Sequence, residues 1–153
     1  MATHYRGKKA AVRALDSYLK LMRAADTLGM KTLRYLKDHG LTESQFGVLE
    51  SLHHLGPMQQ NVISEKLLKS GGNITMVINN LEKQNLIRRE VNPSDRRCVQ
   101  VHLTDKGRAL ITGIFPAHVE FITAIMKTLS ADEQEHLGRL CRKLGTGVAT
   151  QTS

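Results

Sequence analysis

Between residues 60 and 104 the apolar residues change period, and that change restricts the fold more than any other feature of the chain. Val62, Ile63, Leu67 and Leu68 fall on one side of a short helix over 60–68, and Ile74, Val77, Ile78 and Leu81 do the same over 73–84. Between them, Lys69-Ser70-Gly71-Gly72 predicts a tight turn, with Ser70 placed to cap the second helix. Asn85 sits where a left-handed C-terminal cap belongs, because Asn tolerates positive φ. After it the period drops to two. Val99, Val101 and Leu103 alternate with Cys98, Gln100 and His102, which predicts a half-buried strand over 98–103 pairing with one over 87–91. Two helices joined by a tight turn and followed by a β-hairpin make a winged helix-turn-helix, and the expected fold is mainly α with a small β-hairpin wing.

The flanking sequence supplies further helices. Over 10–37, Val12, Leu15, Leu19, Met22, Leu33 and Leu36 recur at helical spacing, with Gly29 as a weak point. Thr42-Glu43-Ser44-Gln45 has the form of a capping box and opens a helix that Gly56-Pro57 ends. Thr104-Asp105 opens a long helix to about residue 129, which Pro116 should kink. Ser130-Ala131-Asp132-Glu133 is a second capping box, opening a helix through Leu144, and Gly145 onward reads as a polar tail. A single domain of 153 residues is expected, with a winged core over 41–108, helical flanks over 1–38 and 109–145, and a tail over 146–153. Hydrophobic content of 41% without Trp is modest for so many helices, which fits a core completed by a second copy.

The charge points to a partner. The net charge is +8, and a basic balance favours nucleic acid or another anionic surface. Residues 1–38 hold nine Lys or Arg against three Asp; residues 64–108 hold nine against five acids; residues 109–153 balance at four against four. The excess therefore lies at the N-terminal end and in the segment with the hairpin. In a helix-turn-helix the second helix enters the major groove. Its polar face here carries Asn73, Thr75, Met76, Asn79 and Asn80, with Ser70 at its start. Asn can donate to and accept from adenine, and Thr and Met can meet a thymine methyl. The hairpin tip carries Arg96 and Arg97 beside Asp95. A narrow minor groove attracts inserted arginine, and an adjacent carboxylate that holds a guanidinium in place lowers the entropy lost on insertion.

The segment SGGNITMVINNLEKQNLIRREVNPSDRRCVQVHLTDKGR resembles the winged-helix core of MarR-type bacterial transcription regulators. GNIT at 72–75, LEKQNLI at 81–87, DRR at 95–97 and LTDKG at 103–107 carry the resemblance over about residues 41–108. It implies an obligate homodimer, with the helices of 1–38 and 109–145 as its dimerisation region, bound to a pseudo-palindromic operator in double-stranded DNA. It further implies Arg97 in the minor groove oriented by Asp95, and recognition-helix contacts from Ser70, Asn73, Thr75, Met76 and Asn79. It also implies a repressor released by a small effector, phenolic or otherwise aromatic, bound in a site whose residues the sequence does not name. A basic residue often stands near positions 79–80 in this family, and here both are Asn.

Other chemistries find little support. Adjacent histidines such as His53-His54 point about 100° apart on a helix, His118 and Glu120 lack a partner at helical spacing, and no His-x-x-x-His occurs, so no metal site and no cofactor are expected. There is no phosphate-binding glycine loop and no nucleophile elbow, so no enzyme is expected. No charged-then-apolar leader and no run of about 18 apolar residues appears, which predicts a cytoplasmic protein without a membrane partner. Two alternatives remain: a redox-responsive regulator acting through Cys98 or Cys141, and a winged helix that docks protein.

Overall fold

The computed structural model describes the backbone over residues 3–92 and 95–149, and side chains over 3–91 and 99–149. Six helices and three strands follow in the order α1 (Lys9–Asp38), α2 (Glu43–Leu55), β1 (Met58–Gln59), α3 (Gln60–Lys66), α4 (Gly71–Lys83), β2 (Ile87–Asn92), β3 (Asp95–Leu103), α5 (Asp105–Met126) and α6 (Ala131–Ala149). The contacts divide the chain into two units, 1–111 and 112–153.

Three helices of the first unit end by one local rule. At the end of α1, Gly40 N–H donates to Lys37 and Leu41 N–H to Leu36; after α3, Leu68 donates to Glu65 and Lys69 to Ser64; after α4, Asn85 donates to Glu82 and Leu86 to Leu81. This double bond pattern is the Schellman motif, and it requires a left-handed residue just past the cap. Gly40 (φ 71), Leu68 (φ 50) and Asn85 (φ 57) fill that position. Asn85 is where the sequence places it. Leu68 is not: it was expected as an inward residue of α3, yet the helix stops at Lys66 and Leu68 is 92% exposed. A Cβ in the left-handed region crowds the following carbonyl at about 1–2 kcal/mol, and Leu68 gains no burial there. Leu68→Gly should therefore stabilise the protein by about 0.5–1 kcal/mol after the entropy of glycine is subtracted. Asn85→Leu should do the reverse. Thermal melts read both, and a Leu68→Gly variant less stable than the parent would show that the exposed side chain has a packing role.

The predicted starts are present. Thr42 Oγ1 accepts from Gln45 N–H at 3.2 Å while Gln45 Oε1 accepts from Thr42 N–H at 2.9 Å. Ser130 and Glu133 form the same reciprocal pair at 2.8 and 3.3 Å. Ser70 Oγ accepts from Asn73 N–H at 3.4 Å, so the cap lies before Gly71 and draws both glycines, expected in the turn, into the first turn of α4.

The hairpin is part of a three-stranded antiparallel sheet in the order β1-β3-β2. The sequence did not reveal β1, whose two residues pair Met58 with Val101 and Gln59 with Gln100. In β2 and β3, Ile87 faces Leu103, Arg89 faces Val101 and Val91 faces Val99. Alternation then puts Arg88, Glu90, Gln100 and His102 on the opposite surface. The core of the first unit gathers Leu36, Phe46, Leu49, Leu52, Ile63, Ile74, Ile78, Leu81, Ile87, Val101 and Ile111, all buried.

In the second unit, α6 continues past the expected end at Leu144 to Ala149. Thr146 Oγ1 bonds back to the Arg142 carbonyl at 3.0 Å, and Val148 extends the stripe Leu137, Leu140, Leu144. Pro116 lies inside α5 and does not divide it. By length and composition α5 is apolar enough to cross a membrane. A search for an unbroken apolar run misses this, because Thr112, Gly113, His118, Glu120 and Thr123 punctuate the segment.

Candidate nucleic-acid interface

The α4 helix is held by its inner face and presents the other. At about 100° per residue, the buried Ile74, Ile78 and Leu81 share one side, and Gly72, Met76, Asn79 and Lys83 form the stripe opposite. Met76 is 61% exposed. Asn73 and Asn80 are exposed on one flank of that stripe and Thr75 on the other. Ser70 caps the helix N-terminus, where the first N–H groups and the positive end of the dipole suit an anion.

Besides the Ser70 cap, two of the expected contact residues already have side-chain bonds within the protein. Thr75 Oγ1 donates to the Gly71 carbonyl at 2.8 Å and accepts from Gln60 Nε2 at 2.6 Å. Its hydroxyl is thus engaged by two partners within the protein. Asn79 Oδ1 accepts from Arg89 Nη2 at 2.6 Å. The same guanidinium donates through Nη1 to Glu82 Oε2, and Arg89 N–H donates to Glu82 Oε1 at 3.2 Å.

Gln60, Glu82 and Arg89 were absent from the sequence reading. A signal for Arg89 existed: it stands between Ile87 and Val91 on the inward-facing series of its strand, and a cation there demands a partner. Glu82, seven residues earlier, supplies it. A guanidinium from β2 therefore lies against Asn79.

On the opposite surface of the sheet, Glu90 accepts from Arg88 Nε at 2.5 Å and lies 3.3 Å from His102 Nε2. The Arg88 hydrogen bond holds the Glu90 carboxyl below its ordinary value, helped by the charges of Arg88 and His102.

The junction behind the helix is also fixed. Thr104 Oγ1 donates to the Asn85 carbonyl at 2.7 Å and accepts from Gly107 N–H at 3.0 Å; Thr104 N–H donates to the Leu86 carbonyl at 3.1 Å. Lys106 Nζ donates to the Gln84 carbonyl at 2.9 Å. The LTDKG segment thus docks the start of α5 on the end of α4.

For the expected wing contacts Asp95, Arg96 and Arg97, and for Cys98, only the backbone is described; their side chains lie outside the described residues. The register places them unusually. Val91 pairs with Val99, and the next residue, Asn92, pairs with Asp95. The backbone of Arg96, Arg97 and Cys98 therefore falls between consecutive partners, at a shift of register of the bulge kind. Cys141 is exposed on α6, and no group of three or more metal-ligating side chains occurs among the described residues.

The MarR family model matches residues 41–99, from the turn before α2 into β3. The HTH-type transcriptional regulator YkoM of Bacillus subtilis (strain 168) is 38% identical over 133 residues, covering 87% of this chain and 86% of that protein. Two solved structures are similar at 26% identity. BpsR of Bordetella bronchiseptica, whose DNA binding is regulated by 6-hydroxynicotinic acid, superposes with a TM-score of 0.76 over 84% of this chain and 98% of that one. MepR of S. aureus in complex with DNA superposes with a TM-score of 0.74 over 86% and 96%. With the winged helix formed where the sequence places it and both kinds of likeness running through it, the chain belongs to the MarR family of transcription regulators and is not an enzyme.

Proposed function

We propose that the chain is a homodimeric, sequence-specific DNA-binding repressor, released from its operator by a small effector. The observation that carries this reading is the outward stripe of α4, a polar and uncovered surface on a helix anchored at both ends, beside a wing whose bulge carries Arg96 and Arg97. In this reading α4 enters the major groove with Asn73, Thr75, Met76, Asn79 and Asn80 toward the bases. Ser70 marks the phosphate-facing end, and the wing follows the adjacent minor groove, with Arg97 inserted and Asp95 orienting it.

A second copy is the cover that the helices call for. Only Leu36 is buried in α1 and no residue is buried in α6. Leu15, Tyr18, Leu19, Met22 and Leu33 on one, and Leu137, Leu140, Leu144 and Val148 on the other, stay exposed at helical spacing. Stripes of this size on a soluble chain mark interfaces, and the apolar α5 belongs to the same argument. A two-fold dimer also presents two recognition helices to half-sites about 34–36 Å apart. Sedimentation should give twice the chain mass, and Leu140→Glu with Leu144→Glu should shift it to the monomer and weaken operator binding more than tenfold, since a buried unpaired charge costs several kcal/mol. A double variant that remains dimeric would place the interface elsewhere.

An effector acts by linkage: a ligand that favours a dimer with a different helix spacing lowers affinity for DNA, and DNA lowers affinity for the ligand equally. A small aromatic anion is the class proposed, by analogy with the ligand of BpsR.

Binding to DNA upstream of the chain's own gene, measured against unrelated DNA over a salt series, tests the reading. The expected result is strong preference for the upstream fragment, with log K falling by about 0.9 per log salt for each phosphate neutralised. Equal, weak binding to both fragments, with or without candidate aromatic acids removed by dialysis, would favour a protein-docking winged helix.

A further inference from the structure

The hydrogen bond from Arg89 to Asn79 changes what Asn79 can read. A guanidinium carries only donors, so the Asn79 atom facing Arg89 Nη2 at 2.6 Å is the oxygen, and the amide orientation follows. Nδ2, with two donor hydrogens, is left on the exposed side of α4. A free Asn recognises adenine by accepting from N6 while donating to N7. Here one of the two lone pairs of that oxygen already accepts from a cation, and an adenine amino group using the other would bring its own hydrogen toward that charge. Guanine presents two acceptors, O6 and N7, at the same edge. The guanidinium also donates through Nη1 to Glu82 Oε2, and the Arg89 main-chain N–H donates to the other oxygen of the same carboxylate, so strand and side chain share one anchor.

We propose that Asn79 and Arg89 act together as a donor-only reader that selects guanine over adenine at one base pair of each half-site. Arg89 is then a specificity-determining residue that lies outside the recognition helix. The inference rests on the DNA-binding reading above and adds a base preference to it.

Enrichment of sites from a random duplex pool by the full chain tests it. The wild-type protein should enrich a motif with guanine at one position per half-site. Asn79→Ala, an exposed substitution that leaves the Arg89–Glu82 pair intact, should lower the preference at that position by about tenfold or more and spare the others. Glu82→Gln combined with Arg89→Met frees the Asn79 oxygen without stranding a charge, and should turn the preference toward adenine. If that double variant does not fold, the Asn79→Ala result decides alone. A motif that Asn79→Ala leaves unchanged, or one in which the erased base is not guanine, overturns the inference while the DNA-binding reading stands. No enriched motif with the wild-type chain overturns the DNA-binding reading and the inference with it.

Discussion

Gly107→Ala is expected to lower the stability of the winged unit by about 3–5 kcal/mol. A Cβ built on Gly107 lies 1.9 Å from the Leu86 carbonyl oxygen and 2.8 Å from its carbon. Both are backbone atoms, so no rotamer change can make room. The start of α5 would have to retreat by more than an ångström. The hydrogen bonds from Thr104 to the Leu86 and Asn85 carbonyls and from Lys106 to Gln84 all cross that gap. Overpacking against rigid neighbours costs about 1–3 kcal/mol, and each hydrogen bond lost adds about 1. Against a typical total of about 5–15 kcal/mol, that is a large share. Gly72→Ala is the control: nothing lies within 4 Å of its added Cβ, and Ala is the better helix residue by up to about 1 kcal/mol. Urea melts of the two variants should therefore move in opposite directions. A Gly107→Ala midpoint close to that of the wild type would mean that α5 and Leu86 are not in contact in solution.

This glycine shows what kind of information the sequence carries openly. Rules that need three or four neighbouring residues were legible: the Thr42–Gln45 and Ser130–Glu133 boxes, the Ser70 cap, the left-handed Asn85. The alternation of Val99, Val101 and Leu103 was legible for the same reason, because the strand is half-buried and its period is two. Gly107 could be quoted as part of a motif, but its reason lies in a carbonyl 21 positions away. The β1 strand exists only because Met58 and Gln59 meet Val101 and Gln100, and two residues are too few to show a period. Leu68 was misread because an apolar residue at the end of an apolar run looks inward; the Schellman geometry turns it out.

The candidate interface divides along the same line. Which residues face outward on α4 followed from the wheel. What those residues have left to offer a base did not. Thr75 and Asn79 are each tied to a residue from another element, Gln60 in α3 and Arg89 in β2, and such bonds depend on the packed arrangement. The register shift across residues 96–98 was not legible, since it appears only when both strands are aligned.

That shift makes Arg97→Ala the binding variant with the largest expected effect. A residue in the regular ladder would present its side chain to one fixed surface of the sheet. The backbone of Arg97 lies between consecutive partners on β3, outside the regular pairing of the two strands. If it enters a minor groove it makes charge-assisted bonds in a narrow, electronegative slot, each worth about 1.5–3 kcal/mol. Arg97→Ala should therefore weaken operator binding by about 10- to 100-fold and reduce the salt slope by about one unit. Its urea melt should stay near that of the wild type. Asp95→Ala separates two roles for the acid. If Asp95 only repels phosphate, its removal strengthens binding; if it orients Arg97, removal weakens binding by several-fold, less than the loss of Arg97 itself. The second outcome is expected, and the double variant should bind no worse than Arg97→Ala, because an orienting residue has nothing left to orient. Wild-type affinity in both single variants would sink the wing contact and leave α4 as the only candidate for DNA readout.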